Sequence, residues 1–566
     1  MSLQDALRIA KEQMDAGRLD QAIVIVRRIL TAKPNQSQAL NLLGLIHMKA
    51  GDLEEASKVL QQLLQAQPDN HPAWHNLTCI HFQRERWVEA VASARRAMAL
   101  DRNSEPTQFM LAKALSNAGH HAESAETLED LLRRKPLDPS YLNALGETRL
   151  LMQQWPQAAD AYEKLVRLQP DSTNAWYQLS CACRAFDLRR AREAFEKATD
   201  LQPDNVSLRL HYAVLLTELN ETAAAVAQFG EVIAAQPDEP SAHTLRACQN
   251  LLLGRYLEGW DEFDWRWRVP NSKIPWGGLN AHLWDGDDPR GKRILVFWEQ
   301  GFGDIIQFAR FVPLLAGRGA HVILACRREL MTLLGGLRGV GKLIDCSPVF
   351  GTAGYVTGYQ YPQPFPAFDA FLPIMSLPRA LRIDLQSVGA APYLHPPQEH
   401  VRRWRRQLAN DRNLRVGLVW STDTKKQVQR IVPAERIADL LTVEGVTFYS
   451  LNVGADEREM ATLGPRIRNL AGELHDFADT AAAVMEMDLV VSIDSAAAHL
   501  AGALGRPVWV LVPFAPDWRW MKDRLDSPWY PSARLFRQPS HGDWKSVLLA
   551  VAAELGASRD RRNSNR

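Results

Sequence analysis

Prolines recur along the first 240 residues at Pro34, Pro68, Pro136, Pro170, Pro203 and Pro237, with gaps of 34, 68, 34, 33 and 34 residues. The long gap is two periods, and the position midway through it is Arg102. No other feature restricts the fold so tightly. A fixed period of this length means one supersecondary unit used repeatedly, each unit too small to bury its own apolar face, so that neighbours must stack. Proline ends a helix because it cannot continue the hydrogen-bond ladder. Each period therefore reads as helix, turn, helix, stop.

Positions inside the period repeat as well. With Pro68 as position 32, Leu40, Leu43, Gly44 and Ala56 fall at positions 4, 7, 8 and 20. Later periods place Trp74, Leu77 and Ala90, then Leu142, Leu145, Gly146, Ala158 and Tyr162, then Trp176, Leu179, Ala191 and Phe195 in the same frame. Ala191 arrives one residue early, which puts the missing residue between Leu179 and Ala191, most simply in the turn. The small residues at positions 8 and 20 are expected to face each other where the two helices cross. Ser124 takes the place of Ala at position 20 in one unit, small for small.

This pattern resembles the tetratricopeptide repeat (TPR) and implies an α-solenoid of seven units over residues 1–240. Residues 241–290 read as a capping helix and linker, with the aromatic stretch Gly259 to Trp267 sealing the last repeat against the next domain. A TPR groove implies a protein partner or acceptor. Position 6 reads Arg8, Leu42, Asn76, Met110, Ala144, Gln178 and His211. The asparagine ladder of the TPR arm of O-GlcNAc transferases is therefore missing, and other side chains would hold the partner.

Charge is balanced, 66 basic residues against 65 acidic, which excludes a dedicated nucleic-acid binder needing a basic surplus. No apolar run approaches the roughly 18 residues of a membrane span, so no integral membrane segment is expected. The start, Met1 to Asp5, has neither basic nor apolar signal character. The six cysteines form no metal-ligand spacing and read as buried thiols of a reducing compartment. A cytoplasmic location is the expectation.

After Pro270 the pattern changes to strands alternating with helices, which implies parallel sheets. Residues 291–400 and 401–556 read as two Rossmann-like domains with a cleft between them, and residues 557–566, rich in arginine, as a disordered tail. Asp285-Gly286-Asp287 has the D-x-D spelling of a cation site but lies among turn residues and reads as a turn. The strand Arg293 to Phe297 leads through Glu299-Gln300-Gly301-Phe302-Gly303-Asp304 into a helix. Gly301 and Gly303 would let backbone approach a ligand closely, and Asp304 would stand at the helix N-terminus. In the second set a buried strand ends at Asp494-Ser495, before the small-residue run Ala496 to Gly505. The first turn of that helix suits a pyrophosphate, with tight helix-on-sheet packing as the alternative reading of its small residues.

These residues together resemble the heptosyltransferase-like family of GT-B glycosyltransferases, over roughly Arg293 to Leu555. The family's donor motif, D-T-G-x-x-H-L-A-x-x-L-G-x-P, corresponds to Asp494 through Pro507, with Ser495 for Thr and Ala496 for Gly, and with His499 matched. The resemblance implies a GT-B fold and a nucleotide-sugar donor seated on Asp494, Ser495, Ala496 and His499. It implies Asp304 as general base, preceded by Gly301 and Gly303. A phosphate-binding cation would come from Lys425, Lys426 or Arg430. The donor ribose would be held by Asp456, Glu457 or Glu459, with Glu457 preferred. Reaction would be inverting and without a metal, no cofactor being expected beyond the co-substrate. Pro513 to Trp518 is a further local signature, shared with TPR-fused members. The acceptor would be a protein chosen by the TPR arm. Two alternatives stand beside this: a lipid-linked or polysaccharide acceptor, and a non-catalytic scaffold with a degenerate donor site.

Overall fold

A computed structural model describes residues 2–270, 282–350, 356–360, 364–389, 392–422, 428–453 and 457–564. The chain divides into two compact units, Met1–Leu208 and Arg209–Arg566. The division falls inside the seventh repeat rather than at residue 240.

The first unit is a stack of helix pairs. First helices begin at Leu3, Ser37, His71, Glu105, Pro139 and Thr173, and second helices at Leu19, Leu53, Trp87, His121, Trp155 and Leu188. Between the two helices of five pairs stands one left-handed residue: Gly17, Gly51, Glu85, Gly119 or Gln153. This is the C-cap position that lets the chain reverse. In the sixth pair the helix Thr173–Cys183 has 11 residues where its counterparts have 13. Among the described residues none between Cys183 and Leu188 is left-handed. The 33-residue period thus closes without a left-handed residue. The helix stops early, Phe186 and Asp187 both donate their N–H to the Cys183 carbonyl at 3.0 and 2.7 Å, and Asp187 caps the next helix through Arg190 N. The turn grows by one residue while the helix loses two.

Position 20 does reach position 8. Ser124 Oγ donates to the Ala112 carbonyl at 2.7 Å, which is how a serine is accommodated at a fully buried site. What a larger residue at position 8 would strike, however, is position 24. A Cβ on Gly44 would lie 2.8 Å from Leu60, and one on Gly146 would lie 2.5 Å from the Tyr162 ring. Both side chains are wholly buried, but the Tyr162 ring is closer and stiffer than the branched end of Leu60. Gly146→Ala should therefore destabilise by about 1–3 kcal/mol through overpacking, and Gly44→Ala by less. Urea melts of the two variants check the order.

The second unit opens with helices on the same spacing. Thr222–Ala235 is succeeded by Pro240–Leu252 and Tyr256–Phe263, with Asn220 and Gly254 as the left-handed residues. The expected single capping segment is thus an eighth pair, its second helix cut to 8 residues and closed by a 3-10 turn, Asp264–Trp267. The cap is aromatic and buried: Trp260 meets Trp518 edge-on with centroids 5.3 Å apart, and Trp529 Nε1 donates to Tyr256 Oη at 2.7 Å.

The rest of the second unit is built on two wholly parallel sheets. β1 (Arg293–Phe297), β2 (His321–Cys326), β3 (Val340–Asp345) and β6 (Ala370–Pro373) lie in the order β3-β2-β1-β6, and β4 (Pro348–Phe350) and β5 (Val356–Tyr359) form an antiparallel hairpin. The second sheet holds β7 (Leu414–Val419), β8 (Val446–Ser450), β9 (Ile467–Asn469), β10 (Leu489–Ile493), β11 (Val508–Val512) and β12 (Ala533–Arg537), in the order β12-β11-β10-β7-β8-β9. Strand order reverses between β1 and β6, and again between β7 and β10. Ligands of open α/β sheets bind outside the carboxyl ends of strands at such points. The architecture is a TPR solenoid joined to a GT-B-type pair of Rossmann-like domains.

The tail corrects an expectation. Residues 557–564 continue the helix Trp544–Ser564. Its arginines do not repel one another into solution, because they have partners: Arg562 donates to Asp488 Oδ2 and to the Asn413 carbonyl, both at 2.7 Å, and Arg559 donates to the Glu444 carbonyl.

Candidate active site

The loop after β1 is held from beneath by an ion pair. Glu299, 4% exposed, accepts from Arg266 Nε at 3.0 Å and from Arg266 Nη2 at 2.6 Å, and also from Met375 N at 3.1 Å. Arg266 is the residue between Trp265 and Trp267 of the cap, so the cap positions this loop through a charge and not through its rings alone. Burial disfavours the guanidinium charge, but Glu299 and Asp264 outweigh it and hold Arg266 protonated above its ordinary range. Gln300 then takes a left-handed conformation, φ 59°, which is strained for a residue other than glycine. Gly301 caps the helix Phe302–Phe308, and Asp304 folds back to accept the Gly301 N–H at 2.9 Å.

Gly303 is a glycine for a reason other than the expected one. A Cβ there would lie 2.9 Å from His499 Cδ2 and 3.4 Å from Ala496 Cα. It permits close approach of the helix Ala496–Ala503. The first turn of that helix, expected to stand open for a pyrophosphate, is packed against Gly303. Its small residues are also explained by packing: a Cβ on Gly502 would fall 2.4 Å from the Tyr530 ring.

Asp494, the residue after β10, is buried. Asp494 Oδ2 pairs with Arg430 Nη1 at 2.7 Å, and Oδ1 lies 3.7 Å from His499 Nε2. His499 Nδ1 shares a hydrogen bond of 2.9 Å with Tyr530 Oη, and its ring stacks on Trp520. Burial alone would raise the Asp494 pKa. The Arg430 guanidinium and the neighbouring His499 prevail and hold the carboxyl well below the usual range. Ser495 Oγ bonds Ser492 Oγ at 2.8 Å.

The residue that joins these parts escaped the sequence reading. Arg519 donates through Nη2 to Asp304 Oδ1, through Nη1 to Asp517 Oδ1 at 2.9 Å and through Nε to Gln307 Oε1 at 2.8 Å. Asp517 Oδ2 in turn accepts from Arg430 Nη2 at 3.1 Å. One chain of contacts therefore runs Asp304–Arg519–Asp517–Arg430–Asp494. Burial disfavours the Arg519 charge, yet Asp517, Asp304 and Asp494 around it raise its pKa. A cavity of about 650 Å³ opens on this chain. Its walls come from the carboxyl ends of β1, β6 and β11 through Gln300, Met375 and Pro513, from Arg430 and Arg519, and from the eighth helix pair through Gln249. Asp304 and Asp494 are each bonded to an arginine that lines it.

Of the remaining expected residues, Lys425, Lys426 and Asp456 lie outside the described residues. Arg430 is in the chain of contacts. Glu457 is exposed at the start of its helix, whereas Glu459 is turned to the end of β7, accepting from Trp420 Nε1 at 3.1 Å and Ser421 Oγ at 3.0 Å. Asp285 to Asp287 form a turn, with Gly286 at φ 108° and Asp285 Oδ1 accepting the Asp287 N–H. Among the described residues no group of three or more His, Cys, Asp or Glu side chains is placed to hold a metal ion, and no helix is long and apolar enough to cross a membrane. Asp517 and Arg519 were within reach of sequence reasoning, since they come just after the carboxyl end of β11, where ligand-binding loops of such sheets emerge.

Residues 13–78 and 182–247 match one tetratricopeptide-repeat family model, and residues 109–173 match another. Residues 403–512 match glycosyltransferase family 9 (heptosyltransferase). Protein FlbA of Caulobacter vibrioides is 26% identical over 512 residues, spanning 79% of this chain and 83% of its own length. Similar solved structures include MamA, residue 41 to the end, from Desulfovibrio magneticus RS-1, at 20% identity over 30% of this chain and 96% of its own, TM-score 0.29. Another is the C-terminal part of a TPR repeat-containing protein from Cytophaga hutchinsonii, at 15% identity over 42% and 97%, TM-score 0.37. Asp304, Asp517 and Arg519 lie outside the stretch matched by the family 9 model.

Proposed function

We propose that this chain, which joins tetratricopeptide repeats to a glycosyltransferase family 9 (heptosyltransferase) domain, transfers a sugar with inversion from a nucleotide-sugar donor to an acceptor hydroxyl on a protein selected by the repeats. The family 9 domain makes it a glycosyltransferase. The finer reading is supported by one observation above others: the carboxylates at both switch points, Asp304 and Asp494, are joined by Arg519, Asp517 and Arg430 along one cavity.

In this reaction the acceptor oxygen attacks the anomeric carbon and the bond from that carbon to the diphosphate oxygen breaks. Asp304 takes the hydroxyl proton, and the nucleoside diphosphate leaves with the electron pair. A single displacement inverts the anomeric centre. Arg430 offsets charge on the leaving group, and the reading requires no metal. The cavity wall supplied by the eighth helix pair supports a part for the repeats in acceptor choice.

The contact of Gly303 with Ala496 and His499 favours a second reading, a non-catalytic scaffold whose donor site is closed. Incubation of the full chain with a panel of nucleoside-diphosphate sugars and a hydroxyl acceptor separates the two. Release of nucleoside diphosphate, with a product of inverted anomeric configuration by proton NMR, is the expected result. Retained configuration contradicts the single displacement, and no release from any donor favours the scaffold.

A further inference from the structure

Arg519 stands where two demands on positive charge meet. It holds Asp304, and it lines the cavity in which a donor diphosphate would lie. The chain of contacts contains three carboxylates, Asp304, Asp517 and Asp494, and two guanidiniums, Arg430 and Arg519. As built, it offers an anion no surplus of charge. A diphosphate can gain a guanidinium there by taking one from a carboxylate.

The three contacts of Arg519 are not equivalent. Gln307, wholly buried, fixes Nε, and Asp517 fixes Nη1 from the same short segment as Arg519 itself. The guanidinium lies 4.2 Å over the Trp518 ring. The contact to Asp304 reaches the helix Phe302–Phe308, 215 residues away, as does that to Gln307, but it is the one made through Nη2 to a carboxylate that the Gly301 N–H also holds. It is also the one a ligand can replace while Nε, Nη1 and the stacked face stay in place. Beside it, Gln307 Nε2 is buried and has no hydrogen-bond partner among the described residues, so a donor wanting an acceptor adjoins the same guanidinium.

We propose that Arg519 is a shared guanidinium: it holds Asp304 Oδ1 while the donor site is empty and turns to the diphosphate when the nucleotide sugar enters, which rests on the nucleotide-sugar reading of the same site. Asp304 Oδ2 stays on the Gly301 N–H, so the carboxylate keeps its place while Oδ1 is released to accept the acceptor's proton. Donor binding thus readies the base, and an empty site keeps it engaged. Arg519 acts here as a positioning residue for Asp304 and as a ligand contact for the diphosphate.

Competition of this kind is reciprocal. If Asp304 and the ligand compete for Arg519, removing the Asp304 charge must tighten ligand binding. The experiment is calorimetric titration of the full chain with UDP, GDP, ADP and TDP, in the wild type, Asp304→Asn and Arg519→Lys, each first checked by thermal melting. The diphosphate that binds the wild type should bind Asp304→Asn about tenfold tighter and Arg519→Lys about tenfold weaker. A purely structural role for Asp304 would leave affinity unchanged or lower it, and that result overturns the shared guanidinium while leaving the nucleotide-sugar reading standing. Absence of binding by wild type and variants alike overturns both. Should Arg519→Lys melt early, the Asp304→Asn arm decides.

Discussion

Asp304→Asn is expected to lower sugar transfer by about 10²–10⁴-fold, the usual range for removing a general base, while the protein stays folded. The substitution is close to isosteric. Asn at this position can still accept the Gly301 N–H with its amide oxygen, so the turn into the helix Phe302–Phe308 is kept. Arg519 loses one partner but retains Asp517 and Gln307. What disappears is the carboxylate that takes the proton. The check is the initial rate of nucleoside diphosphate release alongside a thermal melt. Full activity with an unchanged melt would place the base elsewhere.

The largest effect on stability is expected from Arg266→Met. Its guanidinium bonds Glu299 through two nitrogens and Asp264 through a third, and the three side chains are largely buried. Breaking a buried pair by removing one partner leaves a charge without compensation and costs about 3–5 kcal/mol. Glu299 would keep only weak support from the Met375 N–H, and Asp264 would keep Ser376 and Arg379. Adding Glu299→Gln removes the orphaned charge, so the double variant should recover part of the loss. Activity should also fall, because Glu299 supports the strained Gln300 and the start of the Gly301 to Asp304 turn. Urea unfolding monitored by tryptophan fluorescence reads the stability change. A midpoint equal to wild type would mean that the pair contributes nothing.

How much of this could be read from residues alone depended on distance along the chain. The repeat was legible because its signals are local and periodic. Even the deletion in the sixth unit showed in Ala191. The absence of a left-handed residue there did not, because Glu85 and Gln153 fill that position elsewhere and neither advertises the conformation as glycine does. The eighth pair was hidden by its short second helix. Asp494 and His499 could be singled out because a buried strand followed by Asp-Ser and a small-residue helix is a local pattern, whereas Arg430 was one of three candidate cations in the loop after β7. Arg519 was missed because its partners Asp304 and Gln307 lie 215 and 212 residues away. Arg266 was overshadowed by the tryptophans on either side. The packing role of Gly303 was hidden for a related reason: a glycine that admits a ligand and one that admits a helix some 200 residues later look the same in sequence.

The most direct test of a nucleotide-sugar site in the second unit is the melting temperature of the full chain against the common nucleoside-diphosphate sugars, without any acceptor present. A ligand held at about 100 times its Kd stabilises the state it binds by roughly 2.7 kcal/mol. One donor is expected to raise the transition reported by Trp518, Trp520 and Trp529, and to do so less in Arg430→Gln. Melts that no donor shifts would contradict it.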